Sequence, residues 1–312
     1  MNIAAFCDAL GRHEGIQITY SSLRRILKGA EVRAENQRKA RKRHRDAAGE
    51  LLHLGVGILD WLGEGTPCAL HLILDDATDR VLGMHLCRRE CLMGYVMVLR
   101  QALADYGIPD GIHLGRPRLL RPADGKGQGG GAVQLGSILC ELVGDDVNDD
   151  DHAFHAQRHI DRLMRRVERL LPNWLKRRKA ASMEEANAML CRHITIFNGK
   201  NAAEPRSEDA VFSPFADKGE IDRLVAVRHD VLTGGDGSFS FDDFIFCITS
   251  TAFRVTRKVS FCFGPHTGFV VKHENKWYDV SVLRHRESDT IADTAETLDL
   301  LVRKYYFAAL DE

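Results

Sequence analysis

The sequence predicts a mixed α/β protein, and three observations lead to that prediction. First, three short apolar segments between residues 50 and 86 are separated by polar turns, which is typical of consecutive β-strands. Second, apolar residues recur at helical spacing between Glu90 and Tyr106. Third, five segments between residues 225 and 283 alternate or cluster in the manner of β-strands, which predicts a small β domain late in the chain.

Composition excludes several classes of protein. The 312 residues are 44% hydrophobic and 28% charged, so the chain is long and apolar enough for two or three globular domains. No apolar run reaches the roughly 18 residues that a membrane-spanning helix needs, and we expect no membrane partner. The first residues lack the charged region of a signal peptide. The eight cysteines are scattered, without a Cys-x-x-Cys pair, which favours a reducing cytoplasmic location.

We divide the chain into four parts. We predict a helix-turn-helix-like segment and a basic linker in residues 1–45, followed by an α/β core in residues 46–200. Residues 201–220 predict an extended connector. Residues 221–312 predict a small β-barrel-like domain with a terminal helix.

Glycine and proline set three of the expected boundaries. A first strand is expected over residues 50–54, ending in a turn broken by Gly55 and Gly57. A long basic helix is expected over residues 154–171 and is expected to end at Pro172. The run of glycines at residues 234–237 predicts a β-hairpin turn.

The net charge is only −1, but the positive charge is concentrated in segments that could contact a polyanion. The predicted helix over residues 20–28 presents polar and basic side chains, as a recognition helix does. A basic tract and a basic helix follow, both suited to phosphates. An ordinary helical hairpin and a solvated helix face are the alternative interpretations. The residues expected to bind double-stranded DNA are Tyr20, Ser21, Arg24, Arg25, Lys28, Arg38, Lys39, Arg41, Lys42, Arg43, Arg45, Arg158, Arg162, Arg165 and Arg166.

Histidines at helical spacing near the start of the basic helix offer one further candidate site. If their segment is helical, spacings of three and four residues place them on one face, beside Asp151. Such a face could bind a transition metal, or its imidazoles could be solvated or contact DNA. We expect no metal site here. The histidines are His152, His155 and His159.

In their order along the chain, several short segments resemble the ISNCY-type transposases, a family of bacterial insertion-sequence enzymes. The resemblance implies an N-terminal helix-turn-helix, an RNase H-like integrase core of the DDE type and a small C-terminal β domain. Each segment alone is weakly specific, and their collinear order carries the resemblance. The matching segments are residues 15–27, 49–61, 74–78, 81–83, 134–136, 184–188, 197–198, 207–210 and 221–228.

The family's chemistry uses three carboxylates that hold two Mg²⁺ ions. The resemblance places those positions on Gly55, Gly115 and Asp161. Two of the three ligands are therefore missing, and we expect neither catalysis nor a cofactor. The predicted function is that of a catalytically inactive, transposase-derived DNA-binding protein, acting as a regulator or as a subunit of a mobile-element or defence complex. Self-association into a dimer or larger assembly is expected by analogy with the family.

Two alternatives stay open. The chain could be an active DDE transposase or integrase that uses Mg²⁺ at a displaced site. It could also be a protein-interaction scaffold without a role on DNA, using the β domain and the acidic loop at residues 145–151.

Overall fold

The computed structural model describes residues 16, 45–115, 131–144, 147, 153–214, 218–250, 256–274, 276–287, 290–308 and 310. The predicted helix-turn-helix segment and the basic tract up to Arg43 lie outside this part of the chain, apart from Ile16. The acidic loop also lies outside it, apart from Val147. Residues Asp46–Glu312 form one compact unit.

The described residues contain ten strands and six helices, which confirms the mixed α/β class. The strands are β1 Leu52–Leu59, β2 Cys68–Asp75, β3 Val81–Cys87, β4 Ile112–Leu114, β5 Val227–Leu232, β6 Ser238–Phe241, β7 Phe244–Ile248, β8 Lys258–Gly264, β9 Gly268–His273 and β10 Lys276–His285. The helices are α1 Leu92–Tyr106, α2 Gly131–Val143, α3 Ala153–Arg178, α4 Met183–Asn201, α5 Lys218–Leu224 and α6 Thr294–Tyr306.

The first sheet has the strand order β3-β2-β1-β4. Strands β1, β2 and β3 form an antiparallel meander, whereas β4 runs parallel to β1 and pairs His113 with His53. Helix α1 makes the crossover between β3 and β4, as a parallel connection requires. Beyond β4, Val147 forms a parallel bridge with Ile112 and so extends the sheet by one more position.

Strand β1 runs straight through the two glycines that were expected to break it. It pairs with β2 over all eight residues, so the prediction of a turn at Gly55 and Gly57 is wrong. A Cβ atom on Gly55 would lie 2.7 Å from Cγ2 of Ile160, and one on Gly57 would lie 2.7 Å from Sδ of Met164. Both partners belong to α3. The glycines therefore allow this helix to pack directly on the strand.

Helix α3 also continues past the proline that was expected to end it. It extends to Arg178 with Pro172 in its interior, which corrects the predicted boundary. A proline inside a helix costs about 3 kcal/mol, because it removes one backbone hydrogen bond and its ring clashes with the preceding turn. On either side of it, Leu171 and Leu175 are almost completely buried. Burying each leucine contributes about 1.5–3 kcal/mol, which offsets the cost of the proline.

The second sheet is fully antiparallel, with the strand order β5-β8-β9-β10-β7-β6. Its inner face is aromatic. The glycine-rich turn at residues 234–237 joins β5 and β6, which stand at opposite ends of this order, so the predicted hairpin is wrong there. Strand β5 instead pairs with β8 over six residues. The buried phenylalanines of the inner face are Phe239, Phe244, Phe246, Phe261, Phe263 and Phe269.

The two sheets share one hydrophobic core. A single cluster of buried residues includes Leu54 of β1, Leu99 of α1, Phe261 of β8 and Tyr306 of α6. Polar contacts join the same parts: the side-chain amide of Gln134 in α2 donates to the carbonyl of Arg228 at 2.7 Å and accepts from its N–H at 2.8 Å. The domain boundaries predicted within residues 46–312 stay predictions. In the described part of the chain, every helix is too short or too polar to cross a membrane.

Candidate functional site

The elements that carry the three predicted catalytic positions meet at one end of the first sheet. The N–H of Gly115 donates to the carbonyl of Leu54 at 2.9 Å, so Gly115 lies next to Gly55. Helix α3 packs on β1 at this place, with Ile160 against Gly55. The structure thus brings the helix of Asp161 against the strand of Gly55, which is the arrangement that a three-carboxylate site would need.

The side chains at this place do not match a site for two magnesium ions. Gly55 and Gly115 have no side chain to offer, and Mg²⁺ needs several oxygen ligands. The space beside Gly55 is filled by Ile160, with Leu72 and Met164 within 4.0 Å of where a Cβ atom would stand. Among the described residues, no group of three or more His, Cys, Asp or Glu side chains could hold a metal ion. The family's metal pair therefore does not fit the residues present.

Three buried histidines lie beside the predicted catalytic positions, and the sequence analysis did not connect them. His53, His113 and His159 are 0%, 4% and 7% exposed. The ring centroids of His53 and His113 are 5.6 Å apart, and those of His53 and His159 are 5.3 Å apart. A signal was present in the sequence, because each histidine stands two residues before one of the three positions: His53 before Gly55, His113 before Gly115 and His159 before Asp161.

Two aspartates of the β2–β3 turn hold this histidine cluster. His53 Nε2 hydrogen bonds to Asp76 Oδ1 at 2.7 Å. His159 Nε2 lies 2.7 Å from Asp79 Oδ1, and Arg162 Nη2 donates to the same oxygen at 3.2 Å. Asp79 therefore joins a buried histidine of α3 to an exposed arginine one helical turn later. These contacts fasten α3 to the sheet.

Burial shifts the pKa of His113, one member of the cluster, and of Asp75 at the end of β2. It lowers the pKa of His113 to about 4, and the neighbouring His53 lowers it further while Asp76 opposes the shift. His113 is therefore neutral at pH 7. Burial also raises the pKa of Asp75, although the N–H of Gly49 and the hydroxyl and N–H of Thr78 counteract it. The contacts of His53 with Asp76 and of His159 with Asp79 hold β1 and α3 against the β2–β3 turn.

The opposite face of α3 carries a stripe of exposed cations, and it includes three of the four arginines predicted to bind DNA from this helix. Arg166, the fourth, is partly buried at the edge of the stripe. At 1.5 Å per residue the stripe extends over about 27 Å. The apolar side chains Ile160, Leu163, Val167, Leu171 and Leu175 face inward. The stripe consists of Arg158, Arg162, Arg165, Arg169 and Lys176.

Most of the other predicted DNA contacts cannot be placed. Arg45 is described and partly buried. The remaining ones lie outside the described residues, namely Tyr20, Ser21, Arg24, Arg25, Lys28, Arg38, Lys39, Arg41, Lys42 and Arg43. The same holds for His152 and for the side chain of His155. Of the three histidines at helical spacing, only His159 is described, and it faces the sheet.

Sequence comparison finds two curated relatives. Over 236 residues the chain is 25% identical to the transposase for insertion sequence IS1202 of Streptococcus pneumoniae, a match that covers 63% of this chain and 50% of that protein. Over 242 residues it is 24% identical to a protein of Sinorhizobium fredii named as a transposase, y4bF, covering 75% of this chain and 52% of that protein. The chain spans about half the length of the curated relatives it matches. No protein-family model matches it.

Among solved structures, the chain resembles part of an intasome of simian T-cell lymphotropic virus in complex with the PP2A regulatory subunit B56 gamma. The TM-score is 0.38 at 12% identity, and the match covers 75% of this chain and 77% of that one. A TM-score this low does not establish a shared fold, so the relationship depends on the two sequence matches.

Proposed function

On the premise that this chain belongs to the transposase/integrase family, we propose that it is a DNA-binding protein that has lost strand transfer. It would act as a regulator or as a subunit of a mobile-element or defence complex. The single observation that carries the loss of catalysis is the packing of Ile160 against Gly55. Self-association and further protein partners stay predictions.

The topology of the first sheet supports an RNase H-like core of the integrase type. An antiparallel meander, a crossover helix and a fourth strand parallel to the first are all present, in the order β3-β2-β1-β4. In a core of this kind, the catalytic carboxylates would stand on β1, after β4 and on the helix that crosses β1. Here those three places hold Gly55, Gly115 and Asp161. The second sheet supports the small C-terminal β domain.

The loss of strand transfer follows from ligands and from space. One carboxylate cannot bridge two magnesium ions, and Asp161 is the only carboxylate among the three positions. An aspartate at Gly55 would also collide with Ile160, since even a Cβ atom there lies 2.7 Å from Cγ2. Helix α3 therefore sits closer to β1 than an aspartate-bearing strand would allow. The alternative of an active enzyme finds no ligand set in the described residues.

DNA binding is supported by the stripe of cations on α3. Its five side chains are exposed and lie on one face of the helix, opposite the face that packs on the sheet. Cations spaced along a rigid helix can neutralise successive phosphates without reading a sequence. The histidine and leucine contacts on the buried face hold the helix in place, so the stripe is presented on a fixed surface.

The test compares two double variants of the full chain on a mixed-sequence DNA duplex, with fluorescence anisotropy measured over a series of salt concentrations. Arg165→Ala with Arg169→Ala removes two cations of the stripe. We expect affinity to fall about tenfold or more, and the slope of log K against log salt to lose about 0.9 for each phosphate contact removed. The matched control, Arg192→Ala with Lys200→Ala, removes two exposed cations of α4 and should bind like the parent.

Equal losses in both double variants would show that α3 has no special role. A plasmid-nicking assay with Mg²⁺ or Mn²⁺ tests the second part of the proposal, and we expect no nicking by the unaltered protein. Metal-dependent nicking that disappears in Asp161→Ala would instead establish the active-enzyme alternative.

A further inference from the structure

Side-chain amides of α4 hydrogen bond to the outer edge of β3. Among the described strands, β3 stands at one end of the first sheet, with β2 on its inner side. Asn187 accepts from the N–H of Leu86 at 2.8 Å and donates to the carbonyl of Leu86 at 3.0 Å. Asn198 accepts from the N–H of Val81 at 2.9 Å and donates to the carbonyl of Val81 at 2.7 Å. Each amide thus takes the place of a residue in a further strand.

A third amide, from α1, lies between these two. Gln101 accepts from the N–H of Met84 at 3.0 Å and donates to the carbonyl of Met84 at 3.2 Å. A register shift in the pairing of β3 with β2 leaves Leu82 without a partner in β2, so the backbone of Val81 faces the same way as that of Met84. The three side chains therefore cover the outer edge of β3 along its length, and we call them the amide cover.

The spacing of the two asparagines matches the strand beside them. Asn187 and Asn198 are eleven residues apart, which is close to three helical turns, so both lie on one face of α4 and are separated by about 16 Å along its axis. Val81 and Leu86 are five residues apart, which also corresponds to about 16 Å in an extended strand. Helix α4 therefore runs alongside β3 in the opposite direction and contacts it at both ends.

The sequence of β3 lacks the usual protection of an edge strand. Exposed edges are commonly protected by lysine, by other charged residues or by proline, because their free backbone groups can pair with another chain. Residues 81–87 contain none of these residue types. The irregularity at Leu82 disturbs only the beginning of the edge, since the pairing with β2 is regular from Gly83 to Cys87. This part of β3 would be open to strand addition without the amide cover.

We propose that α4 replaces a further strand of the first sheet and that the β3 edge beneath it is a latent interface for β3 of a second copy of this chain. Two β3 strands related by a two-fold axis would pair in antiparallel fashion, each supplying the N–H and carbonyl groups that the other needs. A groove of about 430 Å³ lies between α4 and α1, with Leu82, Tyr106, Ile194 and Gly199 in its lining, and it gives α4 room to move away from the edge. This inference does not depend on the proposed function.

The experiment uses the full chain and a fluorescent peptide of residues 80–88 that carries Cys87→Ser, with fluorescence anisotropy as the measurement. Asn187→Ala with Asn198→Ala removes two amides of the cover, while alanine keeps the helix favourable. We expect the peptide to bind this double variant at least about tenfold more tightly than the parent, because free main-chain groups provide the affinity of strand addition. The same peptide with N-methyl groups at alternate residues should not bind, since it cannot form these hydrogen bonds.

The matched control is Asn173→Ala with Asn201→Ala. It also removes two asparagine amides, but Asn173 is exposed on α3 and Asn201 donates to the carbonyl of Phe197 within α4. This control should bind the peptide as weakly as the parent. Equal binding to the parent, the control and the double variant would overturn the proposal, because the amides would then not decide whether the edge is accessible.

Hydrogen exchange separates an uncovered edge from an unfolded protein. In Asn187→Ala alone, the N–H of Leu86 should exchange about tenfold or more faster than in the parent, while β8 and β9 of the second sheet keep their protection. This single variant takes the place of the double variant in the peptide assay if the double variant loses protection in both sheets. Unchanged exchange at Leu86 would overturn the proposal, and so would faster exchange without peptide binding, because the edge would then be free and yet unable to accept a strand.

Discussion

At the scale of single residues, Gly55 determines how closely α3 packs on β1. Under the proposed function, the missing side chain removes a metal ligand, and it also admits Ile160 to the space where that ligand would stand. The proposed loss of the carboxylate and the filling of this space by Ile160 would then be one structural event. Restoring an aspartate at this position would therefore add a buried charge and a collision, and would leave the other two positions unchanged.

The first prediction concerns the space at Gly55. Gly55→Ala should destabilise the protein by about 1–3 kcal/mol, because overpacking forces Ile160 or β1 to shift. Ile160→Ala in the same chain should recover part of that loss, so the double variant should be more stable than the sum of the single changes implies. The measurement is the free energy of unfolding in urea.

Gly199 provides the matched control, because nothing lies within 4 Å of the position of its Cβ atom and it stands inside α4. Gly199→Ala should be neutral or stabilising by up to about 1 kcal/mol. If Gly55→Ala proves as harmless as Gly199→Ala, the close packing of α3 on β1 is not as described.

At the scale of elements, α3 is a helix in which burial outweighs a local defect. Leu171 and Leu175 are buried, and Pro172, which lies between them in the sequence, is only partly buried. The helix persists because its two halves are held separately, by His159 and Met164 before the proline and by Leu175 after it. The stripe of cations owes its full length to this continuity.

The second prediction is that Pro172→Ala stabilises the protein. Alanine restores the N–H that can donate to the carbonyl of Glu168, and we expect a gain of about 1–3 kcal/mol in the free energy of unfolding. Leu171→Ala, one residue away, should instead cost about 2–5 kcal/mol because it opens a cavity. A loss of stability in Pro172→Ala would mean that the helix needs a bend at this residue.

At the scale of the whole molecule, buried histidines make stability depend on pH. Burial lowers the pKa of His71 to about 3 and the pKa of four others to about 4, namely His85, His113, His193 and His229. In the unfolded chain each would titrate near pH 6.5. At a pH between the folded and the unfolded pKa values, these histidines bind protons in the unfolded chain and stay neutral in the folded protein. Their contribution to stability is therefore complete above about pH 6.5 and decreases as the pH falls towards 4.

The third prediction is therefore a steady loss of stability from pH 7 to pH 5. Each histidine contributes at most about 1.4 kcal/mol per pH unit in this range. Asp75 works in the opposite direction, since burial raises its pKa, but it is one group against five histidines. Urea unfolding at pH 7, 6 and 5 measures the effect. Stability that stays constant or rises on acidification would contradict the assignment of these histidines as neutral in the folded protein.

Much of the fold could be predicted from local sequence, and the exceptions share a cause. Short apolar segments predicted β2 and β3, and apolar residues at helical spacing between Glu90 and Tyr106 predicted α1. Gly55 and Pro172 misled because their local preferences are overruled by contacts with distant residues. The histidine cluster was missed for the same reason: its members come from three elements that meet only in the folded chain.

The two hydrogen bonds between the side chain of Gln134 and the backbone of Arg228 limit which sequence changes this protein can accept. The Gln134 amide hydrogen bonds to both backbone groups of one residue of β5, as a neighbouring strand would. The two sheets also share the aromatic core. If either sheet were replaced by the corresponding sheet of a relative, the packing surfaces would no longer match. The backbone groups of Arg228 could then lose their hydrogen-bond partner. We therefore expect that replacing only one of the two sheets with that of a relative would destabilise the protein.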